Sequence, residues 1–222
     1  MFKFRLWLES SSNEAIIKNA FSRGVSKSDA SVIGYHGTSI QTIIYAINTG
    51  FLPVTAGTEH LYSGLHQKHI YGKKFELYGI HIVPNPNNKV VKTMPFKQPL
   101  SPNPMEEAEQ YAKVISQRHS VFDQYSLDWF DPKHHEIAKT IDDIDHSPEY
   151  VQKKFKLSPP KAKFLQAGVV LALSETIVDD FAINVGGDGD DINIITKELP
   201  IKYIVGIEPI DDAAYDWLDS LP

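Results

Sequence analysis

An α+β fold is predicted by the arrangement of this chain. Two β-rich stretches, 32–93 and 165–210, flank a helical block at 104–157, and proline clusters mark both edges of that block (Pro95, Pro99, Pro102 and Pro104 before it, Pro159-Pro160 after it). A hydrophobic share of 42% across 222 residues is enough for one real core, and the size suits one domain carrying an insertion better than two compact ones. The expectation is therefore a single domain over 1–222 with 104–157 inserted into it.

The elements follow in order. Met1 to Glu9 alternates apolar and charged residues and reads as a first strand or an amphipathic arm. Ser12-Asn13, Glu14 and the spaced Ile16, Ile17, Ala20 and Phe21, stopped by Gly24, predict a short capped helix. After a polar joint at 26–31, Val32 to His36 reads as a strand. Ser39 then caps a helix that carries Ile40, Ile43, Ile44 and Ile47 and ends at Gly50. Pro53 to Leu65 is turn-forming and reads as a loop able to close over something. Phe75 to Val83 and Lys89 to Lys92, joined by Pro84-Asn85-Pro86-Asn87-Asn88, read as a hairpin. Within the helical block, Pro104, Asp131-Pro132 and Ser147-Pro148 each place proline at a first helical position. Strands are expected at 168–173, 191–195 and 202–207.

Composition narrows the chemistry. With no cysteine, thiolate metal sites, disulfides and cysteine nucleophiles are excluded. A formal charge of −6 from 22 basic and 28 acidic residues argues against broad nucleic-acid or anionic-membrane binding. Arg5, Arg23 and Arg118 are the only arginines, so planar phosphate recognition has few sources. No apolar run reaches the roughly 20 residues that span a bilayer, and the first nine residues lack a signal-peptide core. The localisation expected is cytoplasmic, or delivery into a target cell without a cleavable signal.

The most informative stretch is Gly34-Tyr35-His36-Gly37-Thr38-Ser39, a histidine at a strand end with glycine beside it and a helix start after it. Such a turn lets a ligand approach the backbone closely. Downstream come Tyr62, Tyr71 and Tyr78. Then Gly187-Asp188-Gly189-Asp190-Asp191 precedes an apolar strand, with Tyr203-Ile204-Val205 beyond it. In order and spacing these residues resemble the ADP-ribosyltransferase superfamily, in its diphtheria-toxin and poly(ADP-ribose) polymerase branch. The resemblance covers 32–93 and 165–210. It implies a split β-sandwich with flanking helices, and a mono-ADP-ribosyltransferase of toxin or effector type with NAD as substrate. His36 would then bind the adenosine-side ribose and Gly37 backbone groups would hold the nicotinamide amide, with Thr38 a further cofactor-binding residue. Tyr71, with Tyr62 as its rival and Tyr78 as helper, would stack on the ring. Asp190 or Asp191, with Asp188 as third choice, would contact the ribose and orient the acceptor. Aspartate stands here where the family usually has glutamate. An NAD glycohydrolase or an inactive NAD-binding module of the same fold is the alternative. The acceptor expected is a protein more than a nucleic acid.

Other constellations carry less. His134-His135-Glu136 with Asp142, Asp143, Asp145 and His146 matches no zinc spacing, and reads as a solvated acidic helix with no metal. Ser174-Glu175 is not a hydrolase elbow, and Gly186 to Gly189 lacks the lysine of a phosphate loop. Trp7, Trp129 and Trp217 read as core or core-covering residues.

Overall fold

The computed structural model describes residues 2–53, 79–129, 131–142, 147–185, 191–196 and 198–222, with side chains from Ser12 onward except those of Pro132 and Asp142. It begins with a helix, α1 (Phe2–Arg23), and this corrects the strand or arm expected at 1–9. Neither glycine nor proline interrupts residues 2–23, so the helix predicted from Ser12 extends back through the alternating stretch, whose few residues are too short a pattern to settle a period. Gly24, at φ 62°, stops it, and Ile17 and Ala20 enter the core.

The strand β1 (Val32–Ser39) runs directly into α2 (Ile40–Thr49), which ends at Gly50 in the left-handed region, φ 81°, with its N–H on the Ala46 carbonyl. After β2 (Phe51–Pro53) the next described strand is β3 (Gly79–Pro84). The hairpin return expected at 89–92 is absent: Val91–Thr93 forms one 3-10 turn instead. Two buried asparagines explain the difference. Asn85 Nδ2 donates to the carbonyls of Asp29 and Val32, and Asn88 Nδ2 to that of Ala30, while Asn88 Oδ1 accepts from the N–H groups of Val90 and Val91. A return strand would also find no free side of β3, which β6 and β1 flank, and the asparagine side chains pin the turn onto the joint at 26–31.

The helical block holds α3 (Pro104–Gln124), α4 (Pro132–Asp142) and α5 (Pro148–Phe155), each starting at its expected proline. Then follow β4 (Gly168–Ser174), the short α6 (Ile177–Asp180), β5 (Ile183–Val185), β6 (Ile192–Ile195), β7 (Glu198–Pro200), β8 (Ile204–Pro209) and α7 (Asp212–Asp219). The strand expected at 202–207 begins later, because Ile201–Tyr203 is a 3-10 turn.

The fold is α+β with two antiparallel sheets. The larger has the order β5-β6-β3-β1-β4-β8, and β2 pairs with β7 in the smaller. Alternation along the large sheet divides two apolar clusters. One face carries Ile80, Ile82, Leu171 and Ile192 against Ile17, Ile43 and Leu52, so α1, α2 and the small sheet cover it. The other carries Tyr35, Val83, Val170 and Ala172 against Met105, Ala108 and Ala112 of α3. A satellite core of Val121, Phe122, Ala138 and Val151 joins the end of α3 to α4 and α5, so the insertion has packing of its own.

Candidate functional site

The candidate site lies where β1, β3 and β6 run side by side. Strand β1 pairs with β4 from Val32–Ser174 to Ser39–Gly168. Its ladder with β3 is far shorter, with Gly34 opposite Pro84 and Tyr35 opposite Val83. Continued in the same register, the next hydrogen-bonded position would join Gly37 to His81. There the His81 carbonyl accepts instead from His36 Nδ1, at 2.8 Å. Because a carbonyl only accepts, the His36 proton sits on Nδ1 and its Nε2 is an acceptor. Burial pushes the His36 pKa down to about 4, outweighing the carbonyl bond that favours the charged ring, and nearby His81 lowers it further. His36 is therefore neutral at pH 7.

His81 also contacts Asp191: its Nε2 stands 2.5 Å from Asp191 Oδ2, with side-chain exposures of 17% and 22%. The His81 ring meets Tyr111 of α3 edge-on at 5.3 Å. One residue thus ties His36, through its backbone, to Asp191, through its ring. Asp191 Oδ1 and both polar atoms of Asn193 are buried without a hydrogen-bond partner among the described residues. Asn193 lies directly opposite His81 in the β3–β6 ladder.

The two predicted residues face opposite ways. His36 pairs with Leu171 and shares the α1/α2 face. His81, Asp191 and Asn193 alternate with Ile80, Ile82, Ile192 and Ile194 and so share the α3 face. Gly37 is closed on that same face: a Cβ there would stand 2.0 Å from the Ala108 carbonyl and 2.6 Å from the Ala112 nitrogen. Thr38 is buried and donates to Thr42 Oγ1, at 2.9 Å. Tyr62, Tyr71, Tyr78, Asp188 and Asp190 lie outside the described residues. His36 and Asp191 are brought near one another, with His81 between them.

Ser39 departs from its expected capping role. Its Oγ makes no cap bond and instead lies 2.7 Å from Nδ1 of buried His119 on α3. Burial, with the charges of His135, Arg118 and His36, holds the His119 pKa at about 3. Both residues are enclosed, so the pair joins α3 to the β1–α2 corner.

His134 and His135 are not simply a solvated face, as expected. His134 Nδ1 accepts from the Asp128 N–H, and His135 Nε2 donates to the Trp129 carbonyl at 2.6 Å while its ring packs on Phe122 and Trp129. Trp129 and Trp217 pack on apolar clusters, as read from the sequence. Among the described residues no group of three His, Cys, Asp or Glu side chains could hold a metal, and no helix is long and apolar enough to cross a membrane.

No protein-family model, curated protein or solved structure matches this chain. A groove of about 620 Å³ runs along the first half of α3 past Glu106, Glu107 and Tyr111. Its described lining carries two carboxylates and no cation, so it repels a dinucleotide's phosphates. Its chemistry differs from that at His36.

Sequence reasoning singled out His36 and Asp191 but missed His81, Asn193 and Tyr111. The one signal for His81 and Asn193 was a polar residue at alternate positions in apolar runs, Ile80-His81-Ile82 and Ile192-Asn193-Ile194. Tyr111 on a predicted helix carried none.

Proposed function

We propose that this protein is an NAD-dependent ADP-ribosyltransferase with a split β-sandwich, acting on a macromolecular acceptor that is a protein rather than a nucleic acid. The observation that carries the reading is the parting of β1 and β3 at His36-Gly37. There a neutral histidine is fixed by its own Nδ1–H and presents Nε2 as an acceptor for a ribose hydroxyl, beside a glycine backbone suited to an amide.

The chemistry asked of the site is modest. The nicotinamide–ribose bond breaks with its electron pair leaving on nicotinamide, an oxocarbenium-like centre forms, and the acceptor's nucleophile bonds to that carbon and loses its proton. A carboxylate near the ribose stabilises the positive charge as glycosidase carboxylates do. Asp190 and Asp191 are the two candidates, and Tyr71, Tyr62 and Tyr78 are the candidates for stacking on the ring. The helices at 104–157 serve acceptor recognition, since insertions on a scaffold carry specificity.

The test is incubation with NAD labelled on the ADP-ribose half together with a cell lysate. The reading expects label in macromolecules and stoichiometric nicotinamide. The absence of both label transfer and nicotinamide release overturns it. A second reading, NAD binding without turnover, is favoured by Asp191 being held by His81 on the sheet face opposite His36. Calorimetric NAD binding that survives Asp190→Ala plus Asp191→Ala, with no turnover in the wild type, supports that one. Nicotinamide release without label transfer supports a glycohydrolase.

A further inference from the structure

Between Glu149 and Glu175 the sequence carries no acidic residue, and Lys153, Lys154, Lys156, Lys161 and Lys163 follow one another closely there, in a chain of net charge −6. All of these lysines are exposed. The segment that bears them is fastened to the end of α3 at both its halves. Val151, Phe155 and Leu157 pack on Val121, Phe122 and Tyr125, the Lys161 N–H donates to the Gln124 carbonyl at 2.8 Å, and the Leu165 N–H donates to Asp123 Oδ2 at 2.6 Å. The lysines therefore form a basic patch where α5 and the link to β4 wrap the end of α3.

The fold accounts for part of this charge. Lys153 and Lys154 stand in the last turn of α5, at the negative end of its dipole, and Lys154 Nζ lies 5.5 and 5.2 Å from the ring centres of Tyr150 and Phe155. Lys161 Nζ pairs with Asp123 Oδ1 at 2.8 Å. Lys156 and Lys163 make no ion pair among the described residues. Lys156 also closes α5 at φ 56°, in the left-handed region where glycine is the usual residue, so a lysine stands there at the cost of backbone strain. Glu149, the acidic residue of α5, is in the first turn, at the other end of the helix. The backbones of Lys153, Lys154 and Lys156 lie within one helical turn, closer than the roughly 8 Å over which physiological salt screens exposed charges. These lysines repel one another, and an anionic partner relieves that repulsion.

Two features select the kind of anion. The patch is all lysine, a set of point charges rather than the planar forks that grip phosphate, and no arginine follows Arg118 in the sequence. The patch is also short, on a chain that is otherwise more acidic than its net −6. A nucleic acid, whose charge recurs about every 1.7 Å of duplex, would run off it onto negative surface, whereas a short run of carboxylates would not. We infer that this patch is a docking surface for a short acidic segment of a partner protein, whose aspartate or glutamate side chains meet Lys153, Lys154, Lys156 and Lys163. The inference stands apart from the transferase reading, because docking needs neither NAD nor His36.

The probe is a fluorescein-labelled decaglutamate peptide, titrated with the full protein and followed by anisotropy. The expected result is saturable binding at about 50 mM salt that is lost at about 500 mM, where exposed charges are screened. A patch variant combining Lys153→Ser, Lys154→Ser, Lys156→Gly and Lys163→Ser should bind at least about tenfold more weakly, with glycine relieving the backbone at 156. A control variant combining Lys27→Ser, Lys89→Ser, Lys92→Ser and Lys97→Ser, exposed lysines elsewhere, changes the net charge equally and should bind as the wild type does. No saturable binding of the peptide overturns the inference, as does a patch variant that binds no more weakly than the control, which would mean that net charge alone decides. Tighter binding of labelled decathymidylate than of the peptide overturns it in favour of nucleic acid. If the patch variant lacks a folded circular dichroism spectrum, the preference of the wild type between these two anions decides.

Discussion

His36 and His119 are held as neutral rings by burial, and this makes stability pH-dependent in a defined direction. Their folded pKa values, about 4 and about 3, lie below the ordinary 6.5. Between those values the unfolded chain binds more protons than the folded one, so stability is complete above about pH 6.5 and falls as pH drops toward 4. Each group contributes on the order of 1 kcal/mol per pH unit across that window. Urea midpoints at pH 7.5, 6 and 5 are expected to fall steadily, and His119→Gln should flatten the dependence. A single substitution tests the buried partner. Ser39→Ala leaves His119 Nδ1 unpaired and should cost about 1–3 kcal/mol in the urea-derived unfolding free energy. At this scale the sequence was only partly legible: His36 stood out because glycine follows it, whereas His81 is significant only through the registers that set β3 between β1 and β6.

At the level of elements, the close docking of α3 on the sheet depends most on the missing side chain of Gly37. A Cβ at Gly37 would run into main-chain atoms of Ala108 and Ala112, which cannot rotate away, while at Gly79 the nearest atom would stand 3.4 Å off. Gly37→Ala should therefore destabilise by about 3 kcal/mol or more, and Gly79→Ala by less than about 1 kcal/mol. Denaturant unfolding of the two variants side by side checks the contrast; equal costs would contradict the packing of α3. The helix starts at Pro104, Pro132 and Pro148 were legible because proline at a first turn acts locally. The strand end at Ser39 and the turn at 85–93 were not. Ser39 Oγ is claimed by His119 on α3, and the fate of 85–93 is decided by asparagine bonds to residues 29–32, and neither contact leaves a local pattern.

Across the whole molecule, the charge of −6 gives no long-range attraction for a dinucleotide. On the proposed reading, NAD would be held by short-range contacts at the gap between β1 and β3, with the carboxylate-lined groove on α3 on the other side of the sheet. The mixed fold with two antiparallel sheets and an inserted helical block was legible in the order of β-rich and proline-bounded segments. The pairing order of the six strands was not, since it follows from contacts between residues far apart in the chain. The central claim is that His36 and the parted strands hold NAD, and calorimetric titration of NAD into the wild type and His36→Ala tests it most directly. The account predicts saturable binding by the wild type, and loss of at least about tenfold in affinity, equivalent to about 1.4 kcal/mol, in a variant that keeps its folded circular dichroism spectrum. No binding by the wild type, or equal binding by both proteins, would contradict it.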